Sequence, residues 1–150
     1  MGPHWNPMAT EVGVVLEGEG MVRVVCSSNS TGRCKNKRFM VGPGDVFVVP
    51  RFHPMAQMSF NNASFVFMGF STSAKKNHPQ FLAGKRSVLR TLDKDVLALS
   101  FNASNTTIDH LLGAQVETII LECVSSAEEE LELMKKEIER ERKEKEKIGK

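Results

Sequence analysis

The sequence predicts a mainly β domain, a sandwich or barrel such as a double-sheet jelly roll, followed by a short helical extension and a charged C-terminal helix. Three observations carry that expectation. Short β-branched and aromatic runs recur between Glu11 and Ser71, separated by Gly-, Pro- and Asn-bearing turns. From Ser73 the apolar residues change to a helical period. Residues 128–150 then hold nine Glu and eight Lys or Arg.

With 150 residues the chain is about one domain, long enough for a single core. A formal charge of +2 provides no field for nucleic acid. No run approaches the ~20 apolar residues that span a bilayer, and no membrane partner is expected. Met1 opens no basic-then-apolar leader. The organisation read from these shifts is a barrel core at 1–72, a helical extension with a last strand at 73–125, and a charged tail at 126–150.

The stretch Gly42–Pro54 organises the barrel. Gly42-Pro43-Gly44-Asp45 is turn chemistry, Val46 to Val49 read as a strand buried on both faces, Pro50 ends the ladder, and His53 follows at the rim. Upstream, Val12–Leu16 and Met21–Cys26 flank Gly18-Glu19-Gly20, which reads as a β-hairpin. Ser27–Lys37 is a polar loop, and Arg38–Val41 a short strand. Met55–Phe60 and Ser64–Ser71 supply two more strands about the Asn61-Asn62 turn. Beyond them, Asn77–Gly84 reads as a short helix ending on Gly. A second helical stretch runs over Ser87–Leu99 with Asp93 as a cap, and a third starts at Thr107 behind Thr106 or Thr107. Val116–Val124 is a last strand or the end of a docking arm. In the tail, Leu131, Met134 and Ile138 make one short sticky edge on a solvated, partly frayed helix with no site.

Two segments carry a resemblance. His4-x-Asn6, Glu11 and Gly18 are similar to the first motif of the cupin superfamily, with Asn6 where a second His normally stands, and Gly44-Asp45 through Pro50 and His53 are similar to the second. Their wording, PHWNPMATE and GDVFVVPRFHP, resembles the C-terminal cupin of plant vicilins, the 7S seed storage globulins, over roughly Gly2–Glu122. The resemblance implies a non-enzymatic storage protein of the secretory pathway, held in a storage vacuole or outside the cell. It also implies trimers, which pack through residues 77–115. Such a domain carries strands ahead of its first motif, so the sequence is expected to be truncated.

In metal-binding cupins three His and one Glu hold Mn, Fe or Cu. The corresponding set here is His4, Asn6, Glu11 and His53, but Met55 stands where the third His belongs, two residues after His53. A strand of period two would point His53 the same way. The preferred reading is a vestigial cavity with no cofactor. The alternative is a Cu or Mn site, as in a germin-like oxidase or superoxide dismutase, on His4, Glu11 and His53. A third reading is a module with a dry ligand pocket. His78 and His110 read as surface or packing residues, and Trp5 as packing. Sequons stand at Asn29, Asn62, Asn102 and Asn105, all in expected turns, as glycan acceptors or chance triplets. Cys26 and Cys123 are read as small hydrophobes ending strands. The other reading, for a secreted chain, pairs Cys26 with Cys34 across the polar loop.

Overall fold

A computed structural model describes residues 1–26, 34–60, 64–73, 77–121 and 126–148. Among the described residues eight strands run in order: β1 (His4–Trp5), β2 (Glu11–Glu17), β3 (Gly20–Val24), β4 (Lys37–Val41), β5 (Val46–Val49), β6 (Met55–Ser59), β7 (Val66–Ser71) and β8 (Gln80–Phe81). A 3-10 turn at Val88–Thr91 leads to α1 (Lys94–Phe101), α2 (Asn105–Gly113) and α3 (Ser126–Ile148). All strand pairs are antiparallel, in one sheet ordered β4-β3-β6-β1-β8 and another ordered β5-β2-β7. Their inner faces enclose Val15, Val22, Val41, Phe47, Val49 and Met55, so the architecture is the expected two-sheet jelly roll.

Several local expectations fail for one reason: the decisive contacts are long-range. β2 and β3 are consecutive but do not pair as a hairpin. β2 joins β5 and β7, while β3 joins β4 and β6. The turn between them carries the chain from one sheet to the other. Gly18 makes that passage at φ 74°, where an added Cβ would lie 1.7 Å from the Ser64 carbonyl oxygen. β5 is buried on one face only: Phe47 and Val49 point inward, Val46 and Val48 outward. The expected helix at Asn77–Gly84 is instead an extended segment containing β8, which pairs with β1. Two residues are too few to show a period, so the partner strand decides.

The helices are closer to expectation. Asp93 is the N-cap of α1, though its side chain makes no capping bond. α2 is capped by Ser104, whose hydroxyl accepts from the Thr107 N–H at 3.1 Å. Leu97 and Ile108 bury where α1 meets α2, and Lys94 pairs with Asp109 at 2.8 Å. Residues 116–121 form no strand; the Gly2 N–H donates to the Ile119 carbonyl at 2.8 Å. Residues 122–125, including Cys123, lie outside the described residues.

α3 is not simply a solvated helix. Leu131 and Met134 bury against Met21 and Phe60 on the outer face of the larger sheet, beside Met40 and Met58, while Ile138 is exposed. Arg38 of β4 reaches up to Glu130 at 2.8 Å and also binds Glu137. Two apolar anchors and one arginine hold a helix that is otherwise nearly all charge.

Candidate functional site

The polar end of the barrel is built from β1, β2 and the segment before β8. β1 places His4 inward, with none of its surface exposed, opposite Met55 on one side and Phe81 on the other. Its ring lies 5.2 Å, centroid to centroid, from that of Phe81. Nδ1 sits 2.8 Å from the Gly2 carbonyl oxygen. A carbonyl only accepts, so Nδ1 carries a proton and donates it. Nε2 then faces Glu11 Oε2 at 3.6 Å, without a hydrogen-bond partner.

Glu11, the first residue of β2, is held at this same oxygen. Asn6 Nδ2 donates to Glu11 Oε2 at 2.7 Å, and Asn77 Nδ2 donates to Asn6 Oδ1 at 2.9 Å. Asn77 Nδ2 also reaches Ser71 Oγ at 3.3 Å, and Asn77 Oδ1 accepts from the Met8 N–H at 3.3 Å. The result is a chain of polar groups, Glu11–Asn6–Asn77–Ser71, in which both ends of the Asn6 amide are used. Gln57, on β6, is the other buried polar residue here. Its Nε2 reaches Met55 Sδ at 3.4 Å, and its Oε1 has no partner. The Met1 ammonium donates to the Gln57 backbone carbonyl at 2.6 Å, and burial lowers the pKa of that amine.

His53 does not join this set. Phe52 takes a left-handed φ of 64°, pinned by its N–H on the Asn6 carbonyl at 2.9 Å. That turns the path after Pro50, and β6 begins only at Met55, so His53 lies outside the strand and the expected period-two relation to Met55 does not hold. The His53 ring instead lies half-buried at the rim, with Nδ1 3.0 Å from the Arg51 carbonyl oxygen and Nε2 4.0 Å from Cys34 Sγ. Cys34 is joined to Cys26 in a disulfide, which corrects the reading of Cys26 as a buried small hydrophobe. Cys26 ends no strand, since β3 stops at Val24.

His4, Asn6, Glu11 and His53 are not brought together as one ligand set. His4 offers one imidazole nitrogen and Glu11 one carboxylate, while the Asn6 amide is spent on Glu11 and Asn77. Among the described residues no group of three His, Cys, Asp or Glu is placed to hold a metal ion. Asn77 and Gln57 were invisible to the sequence reading. Asn77 fell in a segment assigned to a helix, and a single Gln on an alternating strand has no signature.

Of the sequons, Asn29 and Asn62 lie outside the described residues. Asn102 is exposed in a left-handed conformation at the end of α1. Asn105 begins α2 rather than lying in a turn, and its Nδ2 donates to Asp95 Oδ1 at 2.7 Å. His78 and His110 are exposed, and Trp5 is half-buried.

A barrel of two antiparallel sheets with this polar end matches a known class: the family model described as Cupin covers residues 1–109. The chain belongs to the cupin family. Within it, the sequence is 66% identical over 143 residues to a vicilin-like seed storage protein of Arabidopsis thaliana, covering 93% of this chain and 20% of the relative. A second Arabidopsis thaliana vicilin-like seed storage protein is 64% identical over 142 residues, covering 93% and 27%. The crystal structure of vicilin from Corylus avellana (hazelnut) superposes with a TM-score of 0.67 at 29% identity, over 77% of this chain and 33% of that one. The chain thus spans about a fifth to a quarter of the length of these two Arabidopsis relatives.

Proposed function

We propose that this chain is the C-terminal cupin part of a vicilin-type storage protein, a nutrient reservoir and not an enzyme. The observation that carries the reading is the fate of the metal position. Where an enzyme of this fold would need a second imidazole, Asn6 closes a hydrogen-bond chain with Glu11 and Asn77. The 66% identity to a vicilin-like seed storage protein supports the same conclusion. Storage asks for dense packing and no chemistry, and the polar end then serves only to fix β1, β2 and the segment before β8. The secretory route and storage-vacuole destination follow from that role. The Cys26–Cys34 disulfide supports them, since such bonds persist in oxidising compartments.

The division into barrel, extension and tail is retained, with the barrel taking in β8. Assembly as a trimer through residues 77–115 is supported by the large apolar side chains left exposed there: Leu92, Val96, Leu99, Phe101 and Leu111. The outer face of the smaller sheet adds Val46, Val48, Val66, Met68 and Phe70. No helix among the described residues is long and apolar enough to cross a membrane. Of the two described sequons, Asn102 is the better glycan acceptor, because the Asn105 amide nitrogen is engaged by Asp95.

Native mass spectrometry of the full-length protein purified from its source tests this reading. Three copies per particle, with hexose-bearing peptides mapped to Asn102 and not Asn105, are expected. A monomer with an oxidase or dismutase activity overturns it.

A further inference from the structure

The disulfide and the histidine left at the rim of the barrel form a second cluster, apart from the polar end. Cys34 is exposed and Cys26 half-buried, and the His53 ring bridges Cys34 to the Arg51 carbonyl. Two ties keep these pieces together. The Val25 N–H donates to the Pro54 carbonyl at 2.8 Å, and the Cys26 N–H donates to Asn36 Oδ1 at 2.9 Å. Because a carbonyl only accepts, His53 Nδ1 carries the proton that faces Arg51. Nε2, 4.0 Å from Cys34 Sγ, then bears the lone pair of the neutral ring. A disulfide sulfur has no proton to give it, whereas a Cys34 thiol has one. The contact therefore gains strength only when the disulfide is open, as the thiol proton passes to Nε2 and leaves a thiolate beside an imidazolium. The surrounding sequence favours that thiolate: no acidic residue stands from Met21 to Gly44, and Lys35 follows Cys34 directly. An interaction that stabilises the reduced form of a dithiol makes its disulfide easier to reduce.

We propose that Cys26–Cys34 is a thiol-exchange site, opened and re-formed by low-molecular-weight thiols, with His53 as the base that holds Cys34 as a thiolate. A thiolate from solution attacks the exposed Cys34 Sγ, the S–S bond breaks, and Cys26 leaves as a thiolate that takes a proton from water. The small thiol is then joined to the chain through Cys34. A second thiolate attacks the sulfur of that bound thiol and expels Cys34, and the two small thiols depart as their own disulfide. Two electrons pass from the thiols to the protein, and two protons end on Cys26 Sγ and His53 Nε2.

Redox titration of the intact protein in reduced and oxidised glutathione, without denaturant, tests the proposal, with each cysteine read by differential alkylation and peptide mapping. The disulfide is expected to open in the folded protein. His53→Asn keeps a side-chain N–H for the Arg51 carbonyl but supplies no base. It should shift the equilibrium tenfold toward the disulfide, about 30 mV for a two-electron couple. His78→Asn, at an exposed histidine elsewhere, should shift nothing. In the reduced protein iodoacetamide should modify Cys34 about tenfold faster than Cys26, and His53→Asn should erase that preference. Oxidised wild type and His53→Asn should melt at the same temperature, which separates loss of the base from loss of the fold. A disulfide that resists glutathione until the chain is unfolded, or the same equilibrium in wild type and His53→Asn, overturns the site. Equal alkylation of the two reduced cysteines overturns the role of His53.

Discussion

The two ends of the barrel interior are built on opposite principles. At the apolar end, Val15, Val22, Phe47 and Val49 are almost fully buried and hold one another by packing alone. The Phe47 ring lies directly over Gly13, its cross-strand partner, where an added Cβ would come within 2.1 Å of Cζ. At the polar end, Asn6 joins Glu11 and Asn77 through hydrogen bonds, His4 binds the Gly2 carbonyl, and His4 Nε2 and Gln57 Oε1 are left unpartnered. The apolar end supplies the free energy of the fold. At the polar end the Asn6 amide is spent on Glu11 and Asn77.

That contrast predicts a gradient of mutational cost. Phe47→Ala should be the most damaging change, losing ~3–5 kcal/mol to the cavity left behind, read as a fall in denaturant midpoint. Gly13→Ala should follow at ~1–3 kcal/mol, because the ring over it has to move. A near-neutral result for either substitution would break the assignment of Phe47 to the centre of the core. Asn77→Ala removes the donor that holds Asn6 and should cost ~0.5–1.5 kcal/mol. Its sharper signature is loss of hydrogen-exchange protection around Asn6 and Thr10, with the Phe47 region unchanged.

The smallest expected effect lies outside the barrel. Arg38 holds the Glu137 carboxyl below the usual carboxylate range, chiefly through their hydrogen bond. A carboxylate with a depressed folded-state pKa adds stability that is present above its unfolded value and lost as pH falls through the folded one. Docking of α3 should therefore loosen toward acid pH, and Arg38→Gln should remove that pH dependence. Proteolysis of the tail across a pH series, with the barrel as internal control, reads both. Since Glu137 is exposed, the shift should be slight and diminished by salt.

Much of the barrel was legible because five of its strands carry β-branched or aromatic residues between turns, and because His4, Asn6 and Glu11 lie close together in sequence. What was not legible depends on partners distant in the chain. The Gly18 turn looks like a hairpin until β2 is seen to pair with β5 and β7. Gln80–Phe81 become a strand only because β1 is beside them. His53 and Met55 share a face only if one strand holds both, and the left-handed Phe52 puts His53 in the turn before β6 begins. The sticky edge Leu131–Met134 was readable, whereas the sheet face beneath it was not.

We propose that the polar end is closed by its own amides and holds no metal. The most direct test is metal content per chain by mass spectrometry on natively purified protein, beside Asn6→His, His4→Ala and His53→Ala. Substoichiometric metal is expected in the wild type, unchanged in His4→Ala and in His53→Ala, with any gain confined to Asn6→His. About one Cu or Mn per wild-type chain, lost when His4 is removed, would contradict it.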